Sequence, residues 1–206
     1  MIHACDETVL EYAMDNLGSA LDYATNYLNL DGQEFLDLFL VSGIAGEFEQ
    51  KNPRYVTGMS GREMADEVYQ TVGKKVPKID GEVNGDYSRE YWCGWILAYY
   101  QGYTCLEFSK ILPILTFDKL MASYILHEAD KLKAVEEFDR DVRAETFLAR
   151  MRKKRNMTQA ELAAKSGVSL RSIQLYEQRK NDIEKAQYNN LRDIANALTC
   201  KIEDIV

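Results

Sequence analysis

Leu170, Arg171 and Gln174 lie close together in the sequence and have side chains suited to reading the base edges of DNA. An arginine can donate two hydrogen bonds to O6 and N7 of guanine, a glutamine can pair with adenine, and a leucine can contact the methyl group of thymine. For Arg171 the alternative is a phosphate contact, which would contribute affinity without sequence preference. Base reading requires an element that presents all three side chains on one exposed surface.

The segment from Thr158 to Lys180 predicts two short helices joined by a tight turn. Thr158, followed three positions later by Glu161, is a capping box that begins the first helix. Gly167 can take the left-handed conformation that ends this helix, and Ser169 can cap the next one. This arrangement is typical of a helix-turn-helix, a DNA-binding motif whose second helix enters the major groove.

The second of these helices is predicted to have a buried side and an exposed side. Ile173 and Tyr176, at positions i and i+3, are predicted to point inward. Leu175 lies off this inward side, so we expect it to meet either a dimer partner or a thymine. The outer side carries Leu170, Arg171, Ser172 and Gln174.

A longer stretch, from about residue 147 to residue 206, resembles the DNA-binding domain of the lambdoid repressors, the Cro/Xre family. The residues that carry the resemblance are Met151-Arg152, Thr158-Gln159-Ala160-Glu161-Leu162-Ala163, Gly167-Val168-Ser169, Ser172-Ile173, Tyr176-Glu177, Leu191, Ile194-Ala195, Leu198 and Ile202-Glu203-Asp204-Ile205. The sequence departs from the family at Thr199-Cys200, where a glycine often ends the fourth helix. The resemblance implies a DNA-binding domain of five helices.

The resemblance also implies roles for individual side chains. Gln159, with the adjacent helix N-terminus, anchors a DNA phosphate, and a helix N-terminus favours an anion for an independent reason. Arg152 and Glu177 form an ion pair between the first and third helices, which would be costly to break if it is buried. The alternative is an exposed pair worth less than about 1 kcal/mol. The residues predicted to contact DNA are Thr158, Gln159, Ser169, Leu170, Arg171, Ser172, Gln174, Arg179 and Lys180.

Charge is distributed unevenly along the chain. Residues 148–180 carry nine Lys and Arg against two Asp and Glu, a formal charge of +7. Residues 1–147 carry 13 against 26, or −13, and residues 181–206 carry −2, which gives the net charge of −8. A basic segment joined to an acidic one predicts a nucleic-acid-binding module with a companion that DNA repels.

Residues 1–141 are predicted to form an acidic domain of amphipathic helices, because apolar residues recur at helical spacing and no convincing strand pattern occurs. The predicted helices cover residues 6–27, 31–41, 60–72, 88–102, 104–112, 116–126 and about 130–141, with a turn at 43–53 and a long loop at 73–86. Ser60, Ser88 and Thr116 are the predicted N-caps. The helix from Ser88 is apolar around much of its circumference, which predicts a central core helix, with a partner surface as the alternative.

The whole chain is therefore predicted to be all-α. Residues 1–141 form an N-terminal multi-helix domain for dimerisation or partner binding. Residues 142–206 form a C-terminal five-helix, lambda-repressor-like helix-turn-helix domain.

The sequence offers no catalytic or metal-binding set. The cysteines lie far apart, without a CxxC pair, and are Cys5, Cys93, Cys105 and Cys200. His127 has no suitably spaced second ligand and no nucleophile near it, so a structural or exposed histidine is favoured. We expect no enzyme activity, no catalytic residues, no metal and no cofactor.

Neither a secretion signal nor a membrane span is expected. The N-terminal residues 1–9 lack the basic region and apolar run of a signal peptide. The longest apolar run, from Trp95 to Tyr100, is far shorter than the roughly 20 residues that a span requires. We expect a cytoplasmic protein with reduced thiols and no membrane partner.

A single helix-turn-helix covers only a few base pairs of double-stranded DNA. The affinities typical of repressors need two half-sites about 34 Å apart, so we expect a homodimer on a palindromic operator. The acidic domain is the expected place for the dimer contact or for a protein ligand.

The N-terminal part resembles a group of uncharacterised bacterial Xre-type regulators. The resemblance rests on Ser42-Gly43-Ile44-Ala45, Gly58-Met59-Ser60-Gly61, residues 90–101 and Leu126-His127-Glu128-Ala129. Some such regulators are encoded beside toxins, which leaves two hypotheses. The first is a sequence-specific transcriptional regulator that acts as a repressor or autorepressor. The second is an antitoxin or phage-type inhibitor that binds a toxin or other effector through its N-terminal domain and autoregulates its operon.

Overall fold

A computed structural model describes residues 7–76 and 88–206 of the chain. Within these residues the backbone forms helices, turns and connecting segments, and no strand. The predicted all-α fold class is therefore confirmed. The contacts divide the chain into two compact units, Met1–Asp141 and Val142–Val206, which we call the N-terminal unit and the C-terminal unit.

The N-terminal unit contains a series of helices that vary widely in length. They are α1 (Glu7–Asn26), α2 (Gly32–Val41), α3 (Ile44–Glu49), α4 (Pro53–Val56), α5 (Gly61–Thr71), α6 (Arg89–Thr104), α7 (Phe108–Ile111), α8 (Phe117–Ala122) and α9 (Lys131–Val142). A 3-10 turn at Ser123–Leu126 follows α8. The last residue of α9 lies just past the boundary between the two units.

The helices α1 and α6 pack against each other at backbone distance. A Cβ atom on Gly94 of α6 would lie 2.3 Å from the carbonyl oxygen of Leu17 in α1. A Cβ atom on Gly18 of α1 would likewise lie 2.9 Å from the carbonyl oxygen of Tyr91. Because a side chain at either position would collide with backbone, glycine is what allows these helices to approach so closely.

The prediction that α6 is the central core helix is confirmed. Ile96, Leu97 and Tyr100 are buried, and no side of the helix is wholly exposed. Trp92 and Trp95 differ from these buried residues, because both are only half-buried. The burial of this helix explains why its sequence is apolar nearly all round.

Three helices of the N-terminal unit begin at the polar N-cap residues that the sequence predicted. Ser60 and Glu63 form a complete capping box at α5. The hydroxyl of Ser88 accepts a hydrogen bond from the Tyr91 N–H at α6, and that of Thr116 accepts one from the Lys119 N–H at α8. All three predicted N-caps are confirmed.

Some predicted boundaries are wrong. The turn expected at 43–53 contains α3 and α4, because Ile44, Ala45 and Phe48 bury their side chains and this burial outweighs the glycines. Only α7 occupies the helix expected at 104–112, since Cys105 adopts a left-handed φ of 55° and ends α6. Residues 77–86 of the predicted loop lie outside the described residues, as do Cys5 and His3.

The C-terminal unit consists of short helices around one apolar core. Its elements are α10 (Phe147–Lys154), α11 (Gln159–Ser166), α12 (Leu170–Glu177), a 3-10 turn (Ile183–Lys185), α13 (Tyr188–Leu198) and a second 3-10 turn (Ile202–Asp204). Leu148, Leu162, Ile173, Ile194 and Leu198 form the centre of the core. The last of the five predicted helices is therefore a single 3-10 turn.

Thr199 ends α13 in a left-handed conformation, with a φ of 54°. Such a φ is costly for a β-branched residue. A hydrogen bond of 2.8 Å from the Arg155 guanidinium to the Thr199 carbonyl oxygen contributes to holding this corner. The chain thus has a strained backbone conformation at the position where the resembling family often has glycine.

Candidate nucleic-acid interface

Hydrogen-bonded caps begin both α11 and α12. The Thr158 hydroxyl accepts a bond of 3.1 Å from the Glu161 N–H, and the Glu161 carboxylate accepts one of 2.7 Å from the Thr158 N–H, so the predicted capping box is confirmed. Gly167 ends α11 with a left-handed φ of 72°. Ser169 caps α12 by accepting a bond of 3.0 Å from the Ser172 N–H.

The two sides of α12 differ as the sequence predicted. Ile173 is fully buried and Tyr176 is 9% exposed, so both point into the core. On the opposite side Leu170 is 40% exposed, Arg171 is exposed and Gln174 is half-buried. The three side chains suited to base edges therefore share one accessible surface. Leu175 is half-buried, intermediate between the two sides.

Arg152 and Glu177 form a two-pronged ion pair between α10 and α12. The Arg152 Nε lies 2.7 Å from Glu177 Oε1, and Nη2 lies 2.8 Å from Oε2. The side chains are 11% and 6% exposed, and Arg152 Nη1 also donates to the Met157 carbonyl oxygen at 2.6 Å. The pair is thus buried and fully hydrogen-bonded, which is the arrangement that makes loss of one partner costly.

The pKa values of this pair follow its contacts. Burial acts to raise the pKa of Glu177, but the hydrogen bonds from Arg152 and Gln159 outweigh it and lower the pKa. The hydrogen bond with Glu177 raises the pKa of Arg152. Both side chains are therefore charged in the folded protein at neutral pH.

Gln159 joins this ion pair. Its Nε2 donates a hydrogen bond of 2.8 Å to Glu177 Oε2, so the first residue of α11 is tied to the last residue of α12. The bond fixes which way the amide points and leaves its second N–H for another acceptor. Sequence reasoning missed this link, because the two residues are far apart and no local pattern relates them.

The serine and threonine hydroxyls among the predicted contacts already serve the helices. The Thr158 hydroxyl also donates to the Glu161 carboxylate at 2.8 Å, and the Ser169 and Ser172 hydroxyls lie 2.7 Å apart. These groups shape the N-termini of α11 and α12, where the first backbone N–H groups lack helical partners. Such N-termini are suited to a phosphate oxygen.

Arg179 and Lys180 follow α12 and differ from each other. Lys180 is exposed. The Arg179 guanidinium donates to the Arg143 carbonyl oxygen at 2.5 Å and lines a cavity of about 300 Å³ with Tyr176 and Ile183. A phosphate contact through Arg179 would require this internal bond to break.

In the N-terminal unit, His127 and Cys93 are two side chains whose types could take part in chemistry. The His127 ring stacks on Tyr124 at 4.2 Å, and its Nδ1 lies 2.8 Å from the Tyr124 carbonyl oxygen. Burial raises the pKa of Cys93 to about 12, so its thiol is not a nucleophile at neutral pH. Among the described residues, no three His, Cys, Asp or Glu side chains are grouped to hold a metal ion, and no helix is long and apolar enough to span a membrane.

Two short helices, a left-handed glycine between them and an exposed polar surface on the second define a helix-turn-helix domain. Residues 148–205 match the family model described as Helix-turn-helix, HTH_3, which confirms a Cro/Xre-type DNA-binding domain at the C-terminus. Comparison with the curated proteins and with the solved structures gives no match. The resemblance of the N-terminal unit to Xre-type regulators stays a prediction.

Proposed function

We propose that this protein is a sequence-specific transcriptional regulator that represses by placing α12 in the major groove of its operator. The observation that carries the proposal is the exposed set of Leu170, Arg171 and Gln174 on a helix whose opposite side is buried. The Arg152–Glu177 pair holds the end of that helix against α10. A rigid helix with base-reading side chains on its accessible face is what direct readout requires.

Phosphate contacts would flank this helix. The second N–H of the Gln159 amide and the backbone N–H groups at the start of α11 can bind one phosphate. The start of α12, where the Ser169 hydroxyl caps the Ser172 N–H, and the exposed Lys180 can bind others. Thr158 and Arg179 belong to the same proposed surface, Thr158 through the shape of the cap and Arg179 after release from Arg143.

We further propose that the protein binds a palindromic operator as a homodimer in the cytoplasm. One helix-turn-helix reads too few base pairs for a tight specific complex, whereas two half-sites about 34 Å apart suffice. The acidic N-terminal unit is the proposed dimer contact, because its charge keeps it from competing for phosphates.

A second function deserves testing because of apolar side chains exposed on the N-terminal unit. Val41 is 76% exposed and Ile125 is 83% exposed, and about half of Tyr12 and of Leu132 is accessible. Exposed apolar residues are typical of protein contacts when they adjoin one another. An antitoxin or inhibitor that binds a protein effector here, and represses its own operon through α12, is the alternative.

The test of the first proposal is selection of DNA from a random duplex pool by the full-length protein. We expect a palindromic sequence with half-sites one helical turn apart, protected in the major groove. A pool that remains random after selection, with binding that depends only on salt, would contradict sequence-specific recognition.

A further inference from the structure

The two tryptophans of the chain, Trp92 and Trp95, lie three residues apart on α6 and are both half-buried. Together with His127 they line two cavities in the N-terminal unit. One cavity has a volume of about 300 Å³ and also includes Asp15, Tyr91 and Tyr124. The other has a volume of about 220 Å³ and is lined by apolar side chains such as Ile96 and Leu126, together with Lys131. We call the two cavities the tryptophan groove.

The size of the groove fits a small molecule. Ligand pockets of proteins usually have volumes of about 300–1,000 Å³ and are lined by aromatic and apolar side chains with few polar groups. The larger cavity has one carboxylate, that of Asp15, which accepts a hydrogen bond of 2.8 Å from the Tyr91 hydroxyl. That bond fixes the carboxylate at the wall of the cavity.

Aromatic rings around the groove already bind cations of the chain itself. The Arg89 guanidinium lies 5.3 Å from the centre of the Tyr124 ring. The Lys131 ammonium lies 4.6 Å from the centre of the Tyr99 ring, and Tyr99 stacks on Trp95. Tryptophan offers a cation the most favourable face of the aromatic side chains. Trp92 and Trp95 line both cavities, so their indoles are rings that a cation in the groove would meet.

Charge favours the same class of ligand. Residues 1–147 carry a formal charge of −13, so the field around the N-terminal unit attracts cations and repels anions. Within the groove, the Asp15 carboxylate adds a local negative charge beside the two indoles. A cation with an apolar body satisfies both the rings and the carboxylate.

We propose that the tryptophan groove binds an organic cation with an aromatic or alkyl body, such as an alkylated ammonium compound. The charged group lies in the larger cavity, between the indoles and Asp15. The apolar body extends into the smaller cavity beside Ile96 and Leu126. This site gives the N-terminal unit a small-molecule ligand, and it does not rest on the DNA-binding function.

The test is titration of the full-length protein with benzyltrimethylammonium while tryptophan fluorescence is recorded. Because both tryptophans line the groove, binding there changes the signal directly. Benzyl alcohol, which has the same ring and no charge, is the matched control ligand. We expect a saturable change with the cation and a Kd at least about tenfold lower than that of benzyl alcohol. Equal Kd values, or no change with the cation up to about 10 mM, would overturn the proposal.

Two substitutions locate the binding. Asp15→Asn keeps an acceptor for the Tyr91 hydroxyl and removes only the charge, so the Kd of the cation should rise about threefold. Asp37→Asn changes the net charge equally at a carboxylate that lines neither cavity, and it should leave the Kd unchanged. Trp95→Phe leaves Trp92 as the reporter and should raise the Kd about threefold. Equal effects of Asp15→Asn and Asp37→Asn would contradict a site in the groove.

Discussion

The two units keep their helices together by different means. In the C-terminal unit the α-helices are 8 to 11 residues long, and polar contacts join the ends of different helices. The buried Arg152–Glu177 pair links α10 to α12, and Gln159 links α11 to α12. In the N-terminal unit the long helices α1 and α6 meet at backbone distance, at Gly18 and Gly94. Short helices bury too little apolar surface to fix their own angles, so directional polar contacts set the geometry of α12.

The same contrast separates the surfaces. The C-terminal unit presents hydrogen-bonding side chains and an excess of cations, which suits phosphates and base edges. The N-terminal unit is acidic and exposes aromatic and aliphatic side chains, which suits organic cations or proteins. The partners that we propose for the two units therefore belong to different chemical classes.

The largest expected effect comes from breaking the polar joint of the C-terminal unit. Arg152→Met should destabilise this unit by about 4 kcal/mol, because it leaves the Glu177 carboxylate buried without its counter-ion. Chemical unfolding of the full chain, followed by a probe in the C-terminal unit, measures the change. The double variant Arg152→Met with Glu177→Leu removes both charges and should recover much of the loss. A midpoint equal to wild type in Arg152→Met would show that the pair contributes nothing.

The pH dependence of the free energy of unfolding provides a second test of the Arg152–Glu177 pair. The folded pKa of Glu177 is lowered, so its contribution to stability is fully present above the ordinary pKa of glutamate. That contribution is lost as the pH falls through the lowered pKa. The loss should be absent from Arg152→Met with Glu177→Leu when the free energy of unfolding is measured across acid pH. An identical acid dependence in the two proteins would contradict this assignment.

Substitution at the close contact of α1 and α6 should have the next largest effect on stability. Gly94→Ala places a methyl group where the Leu17 carbonyl oxygen lies and should destabilise the N-terminal unit by about 3 kcal/mol. Gly46→Ala is the matched control, since a Cβ atom there has no neighbour within 4 Å. The control should stabilise α3 by about 0.5–1 kcal/mol. Thermal unfolding of both variants checks the pair, and equal shifts would mean that α1 and α6 do not touch as described.

A smaller effect is expected on DNA affinity from Gln159. Gln159→Ala removes the amide that Glu177 orients, and it should weaken operator binding about tenfold, the value of a hydrogen bond to a charged group. The loss should be equal on all sequences, because a phosphate contact carries no base preference. Unfolding of the variant serves as the control for stability. A change in the preferred operator would place Gln159 on a base instead.

The smallest expected effect is at the end of α13. Thr199→Gly relieves a left-handed β-branched residue and should stabilise the C-terminal unit by about 1 kcal/mol. Thr199→Ala keeps the unfavourable φ and should gain little, which makes it the matched comparison. A loss of stability in Thr199→Gly, measured by denaturant unfolding, would show that the threonine side chain contributes more than the strain costs.

Local sequence patterns predicted the helix starts and the two sides of α12, because caps and helical spacing act over a few residues. The N-caps predicted from such local patterns include Ser60, Ser88, Thr158 and Ser169. Patterns failed where a distant contact decides the outcome: burial of Phe48 keeps 44–49 helical, and Gln159 is oriented by a residue on another helix. The hydrogen bond from Arg179 to the Arg143 carbonyl oxygen was not predicted for the same reason, because the two residues are far apart in the sequence.

If the exposed side of α12 reads bases, the Arg171 side chain should discriminate between bases at one position of the operator. The affinity of the wild type and of Arg171→Ala is measured on the selected operator and on every single-base variant of one half-site. We expect Arg171→Ala to lose about 1–3 kcal/mol of binding free energy on the operator and to lose its preference at one base pair, with the other positions unchanged. Equal weakening on every duplex would contradict base reading and assign Arg171 to a phosphate.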